Sequence, residues 1–147
     1  MTNQPQRATI GWREWVSLPT LGIAAIKAKT DTGARTSALH AYDLEQHGDV
    51  VRFKVHPLQK DVQKVIECSA LVVDHREVRS SSGRVTRRPV IRTELELFGE
   101  RWPIEVSLVS RDAMGFRMLL GRQAIRGRFI VDPSRSFLAG QTLESGS

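Results

Sequence analysis

Apolar residues recur at every second position in several short stretches of the chain. The clearest stretches are residues 51–55, 66–72, 95–97 and 102–108. A period of two indicates β-strands that bury one face and expose the other. Turn-forming residues separate the stretches, at 47–49, 81–83 and 98–100. The pattern therefore predicts a mainly β domain, an antiparallel sandwich or barrel whose short strands are joined by tight turns.

Three further segments complete this predicted framework. Residues 23–31 are apolar and β-branched between Gly22 and Gly33, which predicts a strand. Residues 95–104 alternate on both sides of Gly99 and predict a hairpin. A helical pattern is confined to residues 122–126, barely more than one turn. Cys68 is in phase with apolar neighbours, so we expect a small core residue and not a nucleophile.

The composition is that of one globular domain. The chain has 147 residues, of which 40% are hydrophobic and 26% charged. No apolar run approaches the roughly 20 residues of a membrane helix, and residues 1–7 lack a signal-peptide pattern. With a single cysteine, no disulfide can form within one chain. We expect a cytoplasmic domain over residues 10–138, with flexible tails at 1–9 and 139–147.

The charge balance is basic and rests mainly on arginine. The chain carries 22 Lys plus Arg against 16 Asp plus Glu, a net charge of +6, with 17 Arg and 5 Lys. Arginine holds carboxylates and phosphates through paired hydrogen bonds, so acidic peptides and nucleic acids are both candidate partners. Aromatic residues are 6% of the chain and none lies within residues 76–92, which makes nucleic acid the less expected partner. The excess charge can also simply keep the domain in solution.

The first chemical motif is Asp31-Thr32-Gly33-Ala34, directly after the predicted strand 23–31. A carboxylate at the end of a strand is held in place by rigid backbone, and Gly33 lets the following loop bend. Thr32 offers a hydroxyl to a neighbour. The alternative is an ordinary turn, since Asp and Gly are both turn residues.

Basic residues surround this aspartate in the sequence. Alternation places Lys27 and Lys29 on the same strand face as Asp31, and Arg35 follows the motif. Nearby cations favour an ionised carboxylate and oppose a shared proton. The alternative is that both lysines reach solvent.

The second motif is Leu119-Leu120-Gly121-Arg122, followed by the helical pattern. A strand ending in Asp-Thr-Gly-Ala and a later Leu-Leu-Gly-Arg resemble the retropepsins, the single-lobe aspartic proteases. Over residues 10–138 the chain is similar to a bacterial retropepsin-like family. That family is labelled an ATP-dependent zinc protease and is found beside ATP-grasp glutamate ligases. Residues 11–14, 27–40 and 117–122 carry this resemblance.

The resemblance implies a fold, an active site and two candidate functions. The fold is a closed β-barrel of the acid-protease type with one short helix. Asp31 is the catalytic residue, Thr32, Gly33 and Ala34 form its loop, and residues 119–122 form the supporting loop. Because the chain holds one Asp-Thr-Gly, the aspartate pair of this hydrolase requires a homodimer. The alternative is a non-proteolytic binding module that regulates a partner such as an ATP-grasp glutamate ligase.

The third signal is a cluster of arginines around a Ser-Gly turn, at positions 76, 79, 84, 87, 88 and 92. In the retropepsin order this is the flap hairpin over the cleft. Its expected substrate contacts are Ser81, Ser82, Gly83, Arg87 and Arg88, and its charge favours acidic peptides. The alternative is a solvated hairpin.

No His-Glu-x-x-His or phosphate-binding Gly-rich loop occurs, so no metal or cofactor is expected.

Overall fold

A computed structural model describes residues 7–58, 63–79, 82–110 and 115–140. Within these ranges the chain is built almost entirely of strands. The elements are β1 Ala8–Gly11, β2 Arg13–Leu18, a 3₁₀ turn Pro19–Leu21, β3 Ile23–Asp31, β4 Ser37–His40, β5 Tyr42–His47, β6 Val50–Val55, β7 Ile66–Arg79, β8 Val85–Leu97, β9 Glu100–Val109, β10 Met118–Gly121, α1 Arg122–Ile125 and β11 Phe129–Asp132. The predicted mainly β class and the short helix are confirmed. The antiparallel arrangement that the sequence predicts is wrong for three strand pairs, because β1 and β11, β3 and β10, and β4 and β9 run parallel.

One sheet contains most of the described strands, in the order β2-β3-β10-β4-β9-β8-β7-β6-β5. Strand β2 also meets β8 through the pair Ser17 and Glu96. A separate parallel pair joins β1 to β11. The predicted hairpin around Gly99 is confirmed as β8 and β9, with Gly99 at φ 74°. Closure of the sheet into a barrel stays a prediction.

The core forms on the faces that the alternating pattern predicts. In β9 the side chains of Trp102, Ile104, Val106 and Leu108 are buried. Burying a large apolar side chain stabilises the fold by about 1.5–3 kcal/mol. The Trp102 indole N–H also donates to the Ala124 carbonyl at 3.1 Å, which ties α1 to the sheet.

A buried carboxylate fastens the last described residues to β2. Glu14 is fully buried and accepts hydrogen bonds from the backbone N–H groups of Gly11 at 2.7 Å, Leu138 at 2.9 Å and Ala139 at 3.0 Å. Strand β1 begins at Ala8, and Ala139 packs on the core. The domain bounds and the flexible tails stay predictions.

Cys68 lies in the core, as the sequence predicts. Burial raises the pKa of its thiol to about 11. The S–H group donates to the Leu21 carbonyl at 3.5 Å. The thiol is therefore protonated at neutral pH, in keeping with a packing role.

Among the described residues, no helix is long and apolar enough to cross a bilayer.

Candidate active site

The two sequence motifs meet at the end of β3. Strands β3 and β10 run parallel, with Leu120 beside Thr30 and Gly121 beside Asp31. The Thr30 hydroxyl is in turn bound to the carbonyls of Gly11 at 3.2 Å and Trp12 at 3.0 Å. The structure thus places the end of β3 between the Gly11–Trp12 backbone and the Leu-Leu-Gly-Arg segment.

Backbone hydrogen bonds fix the turn that follows Asp31. The N–H of Ala34 donates to the Asp31 carbonyl at 3.1 Å. Arg122 then braces the turn twice, with its N–H on the Ala34 carbonyl at 2.8 Å and its Nη1 on the Gly33 carbonyl at 3.1 Å. The guanidinium is therefore engaged with backbone, and the turn is tied to α1.

Gly121 lies where no side chain fits. A Cβ built there would be 2.6 Å from the Thr36 carbonyl carbon and 2.9 Å from the Arg35 oxygen. The N–H of Gly121 donates to the Ser37 hydroxyl at 3.0 Å, and Ser37 is 1% exposed. Sequence reasoning missed Ser37, because a serine at a strand start carries no local signal of a partner 84 residues away.

The tip of the turn faces solvent. Asp31 is half-buried, while Thr32 and Gly33 are exposed. The backbone φ of Gly33 lies outside the left-handed region, so φ alone does not require glycine at this position. A Cβ there would instead lie 3.4 Å from the Asp31 Oδ1, so glycine leaves space beside the carboxylate. Within the described part of the chain, the Thr32 hydroxyl has no hydrogen-bond partner.

The lysines of β3 share a face with Asp31 but do not pair with it. Lys29 is exposed and Lys27 is half-buried, opposite the core residues Ile26 and Ala28. No Lys or Arg in the described ranges lies within 4.0 Å of the Asp31 carboxylate oxygens. Solvent exposure of Lys29 matches the alternative that the sequence left open.

The arginine-rich hairpin is formed by β7 and β8. Arg76 lies directly opposite Arg88, and Glu77 lies opposite Arg87. Arg87 is exposed and Arg88 half-buried. Ser82 and Gly83 are exposed at the turn, with Gly83 at φ 84°, whereas Ser81 lies outside the described residues. The hairpin is therefore present, and its role as a flap stays a prediction.

Metal-binding side chains are dispersed over the described residues. No group of three His, Cys, Asp or Glu side chains there is close enough to hold a metal ion. A concavity of about 670 Å³ lies between β5, β6 and β7 and includes Asp43, Arg52 and Glu67. None of the residues that line this concavity is one that the sequence singled out for chemistry.

Comparison with known proteins identifies a family and several relatives. A family model described as the retropepsin-like aspartic endopeptidase RimB matches residues 9–142. A protein of Shewanella halifaxensis named "Probable alpha-L-glutamate ligase" is 43% identical over 136 residues. One of the same name from Parasynechococcus marenigrum is 48% identical over 139 residues. These alignments cover 90% and 92% of this chain but 30% of each relative, so the chain spans under a third of their length.

A solved structure has the same fold. The crystal structure of a Legionella pneumophila protein of unknown function superposes with a TM-score of 0.73 at 27% sequence identity. The match covers 91% of this chain and 99% of that one. The arrangement of strands is therefore shared with a protein of similar length.

Proposed function

Because the chain belongs to the RimB-like family of retropepsin-like aspartic endopeptidases, we propose that it is an aspartic endopeptidase acting as a homodimer. Each copy supplies one Asp31, and a two-fold axis brings the two carboxylates together. The observation that carries the proposal is the Asp31 turn, which is open to solvent at its tip and braced by Arg122. The exposed Thr32 hydroxyl is available to the second copy.

The chemistry follows from two carboxylates at hydrogen-bonding distance. Both cannot be ionised, so the pair holds one proton between them. The ionised carboxylate takes a proton from water, whose oxygen bonds to the peptide carbonyl carbon while the other carboxyl protonates the carbonyl oxygen. The tetrahedral species then loses its C–N bond, and the leaving nitrogen receives a proton from the pair. A turn braced by backbone hydrogen bonds keeps the carboxylate in position throughout.

The charges of the β7–β8 hairpin and of the residues flanking Asp31 in the sequence support acidic peptides as substrates. Arg76 and Arg88 are directly opposite each other on the hairpin, an arrangement that destabilises a strand pair unless an anion lies near. Neither has an ion-pair partner in the described part of the chain. Lys29 and Arg35 are exposed on either side of Asp31 along the chain. The carboxylates of glutamate-rich peptides would form ion pairs with these cations.

The test is cleavage of paired peptides. An oligo-glutamate peptide and its glutamine counterpart are incubated with wild type, Asp31→Asn and Arg87→Ala/Arg88→Ala, with and without a chelator. We expect cleavage of the acidic peptide that resists the chelator and falls about 100-fold or more in Asp31→Asn. The double variant should lower kcat/KM for the acidic peptide alone. Undiminished cleavage by Asp31→Asn would refute the role of Asp31.

A second candidate function is a binding module that regulates a glutamate ligase. The observation in its favour is that relatives containing a similar region within a longer chain are named glutamate ligases. A change in the rate of an ATP-grasp glutamate ligase that persists in Asp31→Asn, with no peptide cleavage by wild type, would establish this function instead.

A further inference from the structure

Six side chains beside the outer face of β2 and β3 form a ring of aromatic and cationic contacts. We call them the aromatic–cation ring: Trp12, Arg13, Trp15, Lys27, Phe116 and Phe137. The Arg13 guanidinium lies 4.6 Å from the Trp12 ring centre and 4.7 Å from that of Phe137. Trp12 meets Phe116 edge to face at 5.9 Å. Arg13 is thus held between two aromatic rings.

Lys27 closes the other side of the ring. Its Nζ lies 5.9 Å from the ring centre of Trp15 and 5.5 Å from that of Phe116. Trp15 in turn stacks on Phe137 at 6.3 Å. Trp15 and Lys27 are direct partners in the β2–β3 register, so the strands themselves bring them together. All ring members remain partly open to solvent.

The two cations of the ring lack acidic partners. No carboxylate in the described ranges lies within ion-pair distance of Arg13 or Lys27. The Nε of Arg13 is buried without a hydrogen-bond partner in the same ranges. Aromatic rings therefore fix these cations without neutralising them, which leaves their charge available to an external anion.

The ring lies on the same face of β3 as Asp31. Lys27 precedes Asp31 by four residues and Lys29, which is exposed, stands between them. At about 3.3 Å per residue, Lys27 and Asp31 are roughly 13 Å apart along the strand. A polypeptide in extended conformation covers that distance in about four residues.

We propose that the aromatic–cation ring is a recognition site, outside the aspartate pair, for an acidic side chain of an extended polypeptide substrate. This rests on the proposed function, because the distance is counted from Asp31. The carboxylate pairs with Arg13 and Lys27, and its methylene groups pack on the neighbouring rings. A carboxylate about four residues from the scissile bond reaches the ring.

Aromatic residues beside cations are also typical of sites for single-stranded nucleic acid. Such sites need aromatic faces that are free to stack on bases. Here Arg13 covers a face of Trp12 and of Phe137, and Trp15 stacks on Phe137. The occupied faces favour a peptide carboxylate over a base.

The test measures binding to the full chain carrying Asp31→Asn, so that no peptide is cut. The ligands are an oligo-glutamate peptide of about ten residues, one of about three residues that cannot span the distance, a glutamine ten-mer and polyuridylate. Tryptophan emission reports the ring, because Trp12 and Trp15 are partly exposed while Trp102 is 5% exposed. Lys27→Met removes the charge and keeps an apolar chain over the rings. Lys54→Met, on β6 and paired with Asp43 at 3.4 Å, is the matched control.

We expect Lys27→Met to weaken binding of the long acidic peptide about fivefold. Binding of the short acidic peptide should weaken less, and binding of the glutamine peptide should not change. Lys54→Met should bind all ligands as the parent does. The proposal is overturned if Lys27→Met and Lys54→Met lose equal affinity for the long acidic peptide, or if Lys27→Met binds that peptide as tightly as the parent. It is also overturned if Lys27→Met loses more affinity for polyuridylate than for the long acidic peptide. A failure of the proposed function appears separately, as absence of cleavage by wild type, because the binding measurement needs no catalysis.

Discussion

Thr36 and Ser37, which follow the Asp31 loop, carry hydroxyl groups that differ in their hydrogen bonding. The Ser37 hydroxyl accepts the Gly121 N–H at 3.0 Å. The Thr36 hydroxyl is buried and has no hydrogen-bond partner within the described ranges. The Ser37 hydroxyl thus stabilises the contact with Gly121, whereas burial of the unpaired Thr36 hydroxyl carries a desolvation penalty.

This contrast predicts opposite effects of removing each hydroxyl. Ser37→Ala leaves the Gly121 N–H buried without an acceptor and should lower the free energy of unfolding by about 1–3 kcal/mol. Thr36→Val keeps the shape and removes an unsatisfied group, so stability should stay equal or rise. Urea denaturation of both variants gives the comparison. A larger loss for Thr36→Val than for Ser37→Ala would contradict the assignment.

Gly121 is a site of collision and not of backbone strain. Its φ is −80°, which any residue adopts, but a Cβ would lie 2.6 Å from the Thr36 carbonyl carbon. Gly121→Val should therefore cost more than about 2 kcal/mol in denaturation experiments. The control is Gly99→Ala, where φ is 74° and the space is open, with an expected cost of roughly 1–2 kcal/mol. Equal midpoints for Gly121→Val and wild type would refute this packing.

Burial of Cys68 predicts a pH dependence of stability. Its pKa is raised from 9.0 to about 11, so the folded state keeps a proton that the unfolded state loses. This contribution is present in full below pH 9 and is lost as pH rises toward 11. We expect the unfolding free energy of wild type to fall across that window relative to Cys68→Ala, measured by denaturation at each pH. Parallel profiles for the two proteins would contradict the buried, protonated thiol.

At the scale of elements, one carboxylate holds two distant segments together. Glu14 on β2 accepts the N–H groups of Leu138 and Ala139, and Phe137 adds an N–H to the Arg13 carbonyl at 3.0 Å. The segment that follows β11 is thereby laid across β2. Since Phe137 belongs to the aromatic–cation ring, this fastening also positions part of the proposed recognition site.

Glu14→Gln tests that fastening. Glutamine replaces one acceptor oxygen by an NH₂ group, which would face backbone donors, so we expect a loss of about 2 kcal/mol or more. The amides of Leu138 and Ala139 should exchange with deuterium faster than in wild type. Glu45→Gln, at an exposed position on β5, is the control. Unchanged amide exchange in Glu14→Gln would show that the segment is held by other contacts.

At the scale of the whole molecule, the proposed function requires two copies. One chain contains one Asp-Thr-Gly, so a homodimer is needed for a pair of aspartates. The net charge of +6 opposes association of two copies at low salt. Moderate salt or an anionic peptide should therefore favour the homodimer.

Dilution and mixing test this requirement. Peptidase activity per mole of chain should fall on dilution, and an excess of Asp31→Asn should suppress wild-type activity by forming mixed pairs. An equal excess of Lys54→Met, which keeps Asp31, should not suppress it. Activity that stays proportional to concentration and resists Asp31→Asn would show that one chain acts alone.

The sequence by itself determined the local elements of this protein. Alternation predicted the hairpin around Gly99 and the buried face of β9, because a strand with one buried face must repeat with a period of two. An apolar, β-branched run between two glycines predicted β3. The short α1 and the core position of Cys68 followed from the same local patterns. The Asp31 motif could also be identified from the sequence, since its residue types and its place after a strand are properties of adjacent residues.

Tertiary structure alone decided what lies beside these elements. The parallel insertion of β10 next to β3, the Ser37 bond to Gly121 and the bonds of Glu14 to Leu138 and Ala139 join residues 84 to 125 positions apart. The aromatic–cation ring likewise gathers residues from β2, β3 and two later segments, although composition alone gave no sign of an aromatic cluster. Local periodicity records which face of a strand is buried, but which strands become neighbours depends on the free energy of packing the whole chain.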